Sequence, residues 1–121
     1  MERKDIYQTQ RAKGFIAKYA QYWDVPLMSD EELRDLLPRA QKGDAEAEDT
    51  IARSMMRFVV SVAKQYLDKG LSDEELVEVG KKGLIIAIRQ YDRSRGFKFI
   101  PYAVWLVRRS ILQVIEDKSK S

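Results

Sequence analysis

The 121-residue sequence contains no cysteine and no histidine. The absence of cysteine excludes disulfide bonds and thiolate metal sites. The absence of histidine removes the commonest general base and the commonest metal ligand. Carboxylates alone could build an enzyme site, but their spacing indicates none, so we expect no enzyme activity and predict no catalytic residue, metal or cofactor. No apolar run approaches the length of a membrane span or of a signal-peptide core, so we expect a cytoplasmic protein with no membrane partner.

The alternation of polar and apolar residues that is typical of β-strands is also absent, and helical spacing extends through most of the chain. We therefore predict an all-α fold, a compact helical bundle of about five helices. The first helix is expected over 2–22, interrupted by Gly14, and forms a segment of its own (1–23). Pro26 then breaks the helix, because the residue before a proline disfavours helical geometry. Residues 24–121 are expected to form one compact helical domain, and with the N-terminal helix the chain is expected to be a single compact domain overall.

Two capping boxes, each a serine followed three residues later by a glutamate, predict where two further helices begin. Ser29 with Glu32 predicts a helix that extends to about residue 42, and Ser72 with Glu75 predicts one that extends to about residue 90. Between them, apolar residues at helical spacing predict the longest helix, over 45–68. Short connections between these helices favour a compact bundle.

Charge is distributed unevenly along the chain, whose formal net charge is +3. Residues 1–80 contain 12 Lys or Arg and 16 Asp or Glu, a net charge of −4. Residues 81–121 contain 10 Lys or Arg and 3 Asp or Glu, a net charge of +7. This asymmetry predicts that the basic part meets a polyanion and that the acidic part meets a different partner.

The most distinctive segment, 91–115, begins with basic residues and continues as a helix. Pro101 lies where a first helical turn tolerates proline, because the N–H groups of that turn lack intrahelical acceptors. Val104, Val107 and Ile111 have the spacing of a buried stripe, with Val114 or Ile115 one turn further on. The other side of this helix carries mostly polar or large side chains: Trp105, Arg108, Arg109, Leu112 and Gln113.

Aromatic rings and cations are concentrated in this segment. The rings are Tyr91, Phe97, Phe99, Tyr102 and Trp105, and the cations, with Arg89 just before the segment, are Arg89, Arg93, Arg95, Lys98, Arg108 and Arg109. Cations attract phosphates, and aromatic faces stack on unpaired bases at roughly 1–3 kcal/mol per base. The segment therefore predicts a surface for single-stranded nucleic acid. The alternative is that the rings belong to the core and the cations form a solvated face.

Residues 76–113, L-V-E-V-G-K-K-G-L-I-I-A-I-R-Q-Y-D-R-S-R-G-F-K-F-I-P-Y-A-V-W-L-V-R-R-S-I-L-Q, resemble the second conserved region of bacterial sigma factors of the primary, housekeeping family. The run R-F-V-V-S-V-A-K-Q-Y at 57–66 is similar to the helix that begins this region. The run V-P-L-M-S-D-E-E-L at 25–33 is similar to the end of the preceding conserved region. These runs most resemble primary sigma factors of the Bacteroidetes kind.

The resemblance implies that the helix over 71–88 binds core RNA polymerase at the clamp coiled coil of the β′ subunit. The polymerase-binding residues that it implies are Glu75, Leu76, Glu78, Val79, Lys81 and Lys82. No sequence after Ser121 resembles the later regions of the family. We therefore expect either a fragment or, as we favour, a minimal sigma-like factor that relies on a separate subunit for upstream promoter recognition, as in phage late transcription.

The resemblance also implies that the domain opens promoter DNA at the minus-ten element and holds the non-template strand. A flipped adenine would occupy a pocket formed by Tyr91, Asp92, Arg95 and Tyr102. Trp105 would stack against the last closed base pair, and Lys98 and Arg108 would contact phosphates. The remaining residues that we expect to bind DNA are Phe99, Arg109 and Leu112.

Several positions on the DNA-binding side depart from the family pattern. The usual second tryptophan is Leu106, and the threonine before the pocket tyrosine is Pro101. The glutamine that recognises an upstream base pair is Arg109, and arginine favours guanine in the major groove. An asparagine that helps to hold a second flipped base is Met55, whose side chain cannot hydrogen-bond to a base edge.

The polymerase-binding helix also departs from the pattern, since a carboxylate has become Val79 and an asparagine has become Lys81. These changes are expected to weaken docking on a basic coiled coil. Three functions remain open from the sequence. The first is a minimal sigma factor, and the second is a sigma mimic that binds polymerase and regulates or inhibits it without opening promoters. The third is an unrelated module that places 104–115 in duplex DNA.

Overall fold

The computed structural model describes residues 10–120, and these residues form five α-helices and no strand. The helices are α1 (Gln10–Lys18), α2 (Asp30–Gln41), α3 (Ala45–Ala63), α4 (Asp73–Gln90) and α5 (Phe99–Ser119). Short 3₁₀ turns lie at Ala20–Asp24, Lys64–Tyr66 and Arg93–Arg95. The predicted all-α bundle is confirmed over the described part of the chain.

Side-chain caps fix the beginnings of three helices. The Ser29 hydroxyl accepts a hydrogen bond from the Glu32 N–H at 3.1 Å, and the Glu32 carboxylate accepts one from the Ser29 N–H at 3.0 Å. The box of Ser72 and Glu75 at the start of α4 has the same two distances. Both predicted capping boxes are therefore present. Asp44, which the sequence did not single out, caps α3 by accepting from the Ala47 N–H at 3.1 Å.

The predicted ends of two helices are too late. The expected N-terminal helix ends at Lys18 and is followed by the 3₁₀ turn Ala20–Asp24, while its predicted residues 2–9 lie outside the described residues. Within the described residues, α1 continues through Gly14 without interruption. The longest predicted helix, 45–68, ends at Ala63 and tightens into the 3₁₀ turn Lys64–Tyr66.

The core lies around α3, which contacts α2, α4 and α5. Val59 and Val60 of α3 are fully buried, as are Ile88 at the end of α4 and Ile111 of α5. The predicted stripe of α5 is buried at Val107 and Ile111 but only half-buried at Val104. Ala103, one residue earlier, is fully buried instead.

Two glycines allow α4 to approach α3 and α5 closely. A Cβ atom on Gly80 would lie 2.7 Å from Val59 Cγ1, and a Cβ atom on Gly83 would lie 2.7 Å from the carbonyl oxygen of Leu106. Cβ atoms do not approach other heavy atoms so closely without a shift of the structure. The inner face of α4 is thereby pressed against α3 and α5, and its outer face is left at the surface.

Candidate nucleic-acid and protein interfaces

Four rings meet where α4 passes into α5, and we call Tyr91, Phe97, Phe99 and Tyr102 the aromatic cluster. The Tyr91 ring centroid lies 5.9 Å from that of Phe97, 5.2 Å from that of Phe99 and 5.7 Å from that of Tyr102. The Phe97 and Tyr102 centroids are 5.1 Å apart. These separations are typical of attractive edge and tilted ring packing. The sequence-predicted residues Tyr91 and Tyr102 are therefore brought together.

Hydrogen bonds hold the loop between Tyr91 and Phe99 in shape. The Tyr91 hydroxyl donates to the Phe97 carbonyl oxygen at 2.6 Å. Asp92 Oδ1 accepts from the N–H and the hydroxyl of Ser94, at 2.9 and 2.6 Å. These bonds, and to a smaller extent the charge of Arg95, lower the pKa of Asp92. The loop closes at Gly96, whose φ of +87° is one that residues with a Cβ rarely adopt.

Helix α2 anchors the same loop from the other side. The Gln41 side-chain amide donates to the carbonyl oxygens of Ile88 at 2.9 Å and of Tyr91 at 2.8 Å. The last carbonyl groups of a helix have no intrahelical partner, so this amide supplies the donors that the end of α4 lacks. Arg89 adds a pair of hydrogen bonds to Glu48 of α3, at 2.8 and 3.1 Å. The backbone at Tyr91, where the aromatic cluster begins, is thus held by α2, α3 and α4.

The rings of the cluster differ in exposure. Phe97 is 41% exposed, Tyr91 and Tyr102 are half-buried, and Phe99 is 5% exposed. The contact between Phe99 and DNA stays a prediction; in this structure its ring is enclosed beneath the cluster and supports the other rings. Phe97, which the sequence counted among the rings but not among the binding residues, is the most exposed ring of the cluster.

A shallow cavity of about 170 Å³ lies between α2 and the loop of the aromatic cluster. Arg34 of α2 lines it together with Arg93 and Lys98 of the loop, so three cations from two parts of the chain converge there. Its remaining lining residues are Asp30, Leu33, Leu37, Tyr91 and Phe99. Sequence reasoning missed Arg34, because it lies far along the chain from the loop and belongs to an ordinary charged helix face.

The outer face of α5 continues the basic and aromatic surface. Trp105 is 53% exposed, and the Arg109 guanidinium lies over its ring at 5.2 Å from the centroid. Leu112, also exposed, lies one turn further on, and a second shallow cavity of about 260 Å³ opens between these side chains. Cation–π attraction holds the guanidinium over the face of the exposed ring. The predicted residues Trp105, Arg109 and Leu112 therefore share one exposed face.

Two residues on this side are engaged in the fold. Nη1 of Arg108 donates to Gln65 Oε1 at 2.7 Å and to the Tyr66 hydroxyl at 2.9 Å, which leaves only its other N–H groups for a phosphate. Met55 is 3% exposed and belongs to the core. The side chain that replaces the family's asparagine therefore lies beneath the surface.

The predicted polymerase-binding residues of α4 are divided between its core and its surface. Leu76 is fully buried and Val79 is half-buried, and their contact with a partner stays a prediction. Glu75 closes the capping box and pairs with Lys118 of α5 at 3.4 Å. The hydrogen bond from the Ser72 N–H, and to a smaller extent the one from Lys118, lowers the pKa of Glu75. Glu78, Lys81 and Lys82 are exposed, as predicted residues of a contact surface must be.

Two isoleucines continue this surface and were not predicted. Ile85 is half-buried and Ile86 is 42% exposed, and both lie beside Lys81 and Lys82 on the outer face of α4. Elsewhere, residues 10–120 contain no group of three or more acidic side chains placed to hold a metal ion. No helix among these residues has the length and apolar character needed to cross a membrane.

The family profile of sigma-70 region 2 matches residues 51–121. Among curated relatives, "RNA polymerase sigma factor SigA" of Clostridium acetobutylicum is 40% identical over 97 residues, and the protein of the same name from Bacillus sp. is 38% identical over 97 residues. Each alignment covers 80% of this chain and 26% of the relative, so the chain spans about a quarter of their length.

The all-α bundle with its aromatic and basic end is therefore a domain of the transcription-factor class. More particularly, the chain belongs to the sigma-70 family, to whose region 2 more than half of it is matched. This family comprises transcription initiation factors and not enzymes, which confirms the expectation drawn from the residue composition.

Proposed function

We propose that this chain is a minimal sigma-type initiation factor that binds core RNA polymerase and holds the non-template strand of a minus-ten-type promoter element. In this proposal α4 binds the clamp coiled coil of the β′ subunit, and the aromatic cluster with Trp105 binds the melted strand. A separate subunit recognises the upstream promoter elements. The family match and the two sigma factor relatives support the general role.

The strand-binding part of the proposal rests on one observation, that exposed rings and cations lie together on one surface. Phe97 and Trp105 are among the exposed large apolar side chains of the described chain, and Arg93, Arg95 and Lys98 are exposed beside them. Extruding a base from a duplex costs a few kcal/mol, and stacking on an aromatic ring returns about 1–3 kcal/mol per base. Cations of the protein along the DNA backbone supply the remaining, salt-dependent part of the binding free energy.

The loop of the aromatic cluster is suited to this task because it is already ordered without DNA. Its hydroxyl, carboxylate and amide hydrogen bonds fix the backbone on both sides of Arg93–Arg95. A surface that is ordered before binding loses less conformational entropy when the ligand arrives. The Asp92 carboxylate accepts a hydrogen bond from the Ser94 hydroxyl within the loop. Its proposed role is therefore to hold the loop and not to accept a hydrogen bond from a base.

The proposal is tested by strand capture with core polymerase. Fluorescent oligonucleotides that carry a randomised minus-ten non-template strand are titrated with core enzyme and this protein at two salt concentrations. We expect sequence-selective capture, and Trp105→Ala or Tyr102→Ala should weaken it roughly 5- to 150-fold, the factor that corresponds to one lost stack. Trp23→Ala is a matched control, since Trp23 is also exposed but lies in the 3₁₀ turn Ala20–Asp24.

A second function, that of a sigma mimic which occupies polymerase without opening promoters, is favoured by specific observations. Met55 is in the core, and Arg108 is partly committed to Gln65 and Tyr66. In addition, Leu106 stands where the family has a tryptophan. The same assay separates the two functions, because a mimic binds core enzyme tightly and captures no sequence selectively. Capture that survives the loss of both Tyr102 and Trp105 would contradict the proposed strand surface.

A further inference from the structure

The outer face of α4 differs in composition from the acidic pattern of the family. Its residues Glu78, Lys81, Lys82, Ile85 and Ile86 follow each other at helical spacing and all belong to one helix, so they form an open face and not an enclosed cavity. The opposite face is occupied, since Gly80 and Gly83 are pressed against α3 and α5. Within residues 10–120, this outer face is left without a covering element.

The charges that this face offers are mainly positive. Glu75, the first acidic residue expected there, is held by the capping box and by Lys118 of α5. Lys81 and Lys82 are exposed and form no ion pair with a described residue, which leaves Glu78 as the one unpaired carboxylate among the five residues of the face. Two ammonium groups against one carboxylate give this face a net positive charge.

An apolar part accompanies these charges. Ile86 is 42% exposed and Ile85 is half-buried beside it, one turn after Lys81 and Lys82. Protein interfaces commonly place apolar side chains at the centre and charged side chains at the rim. Charges at the rim determine which partner is accepted, because like charges brought together cost several kcal/mol.

We infer that the polymerase surface that binds α4 presents carboxylates opposite Lys81 and Lys82 and apolar side chains opposite Ile85 and Ile86. This inference rests on the proposed function, and it specifies the chemistry of the partner at the same site. A coiled coil that is basic at this position would instead meet two ammonium groups. The protein should therefore select a polymerase, or a variant of its clamp, whose docking surface is acidic.

The test measures binding of the fluorescently labelled chain to core RNA polymerase from the cell in which the gene is expressed, at two salt concentrations. The double variant Lys81→Glu/Lys82→Glu should bind at least about tenfold more weakly, with the larger loss at low salt. Glu78→Lys should bind as tightly as the wild-type chain or more tightly. Lys13→Glu/Lys42→Glu is the matched control, because it changes the net charge equally at exposed positions outside α4.

The possible outcomes distinguish a failure of this inference from a failure of the proposed function on which it rests. Wild-type binding that is strengthened by Lys81→Glu/Lys82→Glu and weakened by Glu78→Lys would overturn the inference and indicate a basic partner surface. Wild-type binding that none of these variants changes would also overturn it, because docking would then use another face, while the proposed function would stand. Absence of wild-type binding would overturn the proposed function and the inference together. Thermal melting of each variant confirms that it folds.

Discussion

At the scale of single residues, one side chain that is distant along the chain holds the backbone where the aromatic cluster begins. Gln41 at the end of α2 gives both hydrogens of its amide to carbonyl oxygens of Ile88 and Tyr91. Tyr91 in turn donates its hydroxyl to the Phe97 carbonyl oxygen. A path of two hydrogen bonds therefore leads from α2 through Tyr91 to Phe97, the most exposed ring of the cluster. Gln41 is a positioning residue and touches no proposed ligand.

Gln41→Glu should loosen this arrangement. The variant places a carboxylate against two carbonyl oxygens at the negative end of the α4 dipole, so two hydrogen bonds are lost and a repulsion is added. We expect a loss of about 1–3 kcal/mol in the free energy of unfolding and weaker strand capture by the polymerase complex. Hydrogen exchange should become faster at the amides of 91–98.

The control for this prediction is Gln21→Glu, the same substitution at an exposed position of the first 3₁₀ turn. It should leave both strand capture and hydrogen exchange in 91–98 unchanged. Equal exchange rates in the wild-type chain and in Gln41→Glu would show that the loop is held by its own ring contacts alone. The hydrogen-exchange measurement needs no DNA, so it remains informative whatever ligand the surface binds.

At the scale of elements, the contact between α4 and α5 connects the two proposed interfaces. α4 carries the proposed polymerase-binding face on its outer side, and α5 carries Trp105 on its own outer side. In the proposed function, their mutual packing sets the distance between the two partners. Gly83 permits the close approach, because any Cβ there would lie 2.6 Å from Ser110 Oγ and 2.7 Å from the Leu106 carbonyl oxygen. A backbone oxygen cannot move aside as a flexible side chain can.

Gly83→Ala should therefore destabilise the fold by about 1–3 kcal/mol, the usual cost of overpacking. Gly14→Ala is the matched comparison, because a Cβ on Gly14 in α1 would meet nothing within 4 Å. Alanine is the better helix former by about 0.5–1 kcal/mol, so Gly14→Ala should stabilise the chain. Urea unfolding of both variants checks the two signs. A stabilised Gly83→Ala would mean that the two helices separate without cost.

At the scale of the whole molecule, part of the acidity of residues 1–80 is paired within the fold. The three carboxylates at the start of α4 each have a cation from another helix: Arg11 lies 3.2 Å from Asp73, Lys18 contacts Glu74, and Lys118 lies 3.4 Å from Glu75. Part of the acidity that the sequence suggested for a partner is thus used within the fold. These pairs are largely exposed, so each contributes little to stability.

The pH dependence of stability follows from the same groups. Backbone hydrogen bonds lower the pKa of Glu32, Asp44 and Glu75, and the hydrogen bond from Lys18 lowers that of Glu74. A carboxyl group whose pKa is lower in the folded state stabilises the fold above its unfolded pKa and loses that contribution as the pH falls. The melting temperature should therefore fall below about pH 4.5.

Between about pH 5.5 and 8 the melting temperature should be nearly constant, because the chain has no histidine to titrate there. Circular dichroism melts across this range check both parts of the prediction. Asp44→Asn keeps a capping oxygen at the start of α3 but removes its charge, so its loss of stability in acid should be smaller than that of the wild-type chain. A midpoint of destabilisation between about pH 6 and 7 would contradict the prediction, since carboxyl groups ordinarily titrate near pH 4.

The sequence by itself determined the helices, the family and the segment that carries the rings. Helical spacing and the boxes at Ser29 and Ser72 are local properties, because capping joins residues three apart and a buried stripe repeats every turn. The helix ends were less well determined, since α3 tightens into a 3₁₀ turn at Lys64–Tyr66.

Only the tertiary structure decided which of these residues remain available to a partner. Phe99 and Leu76 are enclosed, Arg108 bonds across to Tyr66, and Gln41 joins the cluster from α2. The hydrogen bonds of Arg108 and Gln41 join residues more than 40 positions apart, so no local sequence pattern could predict them. Burial of a ring, or the neutralisation of a carboxylate such as Glu75, depends on which helix packs over it. That arrangement is settled by the whole core.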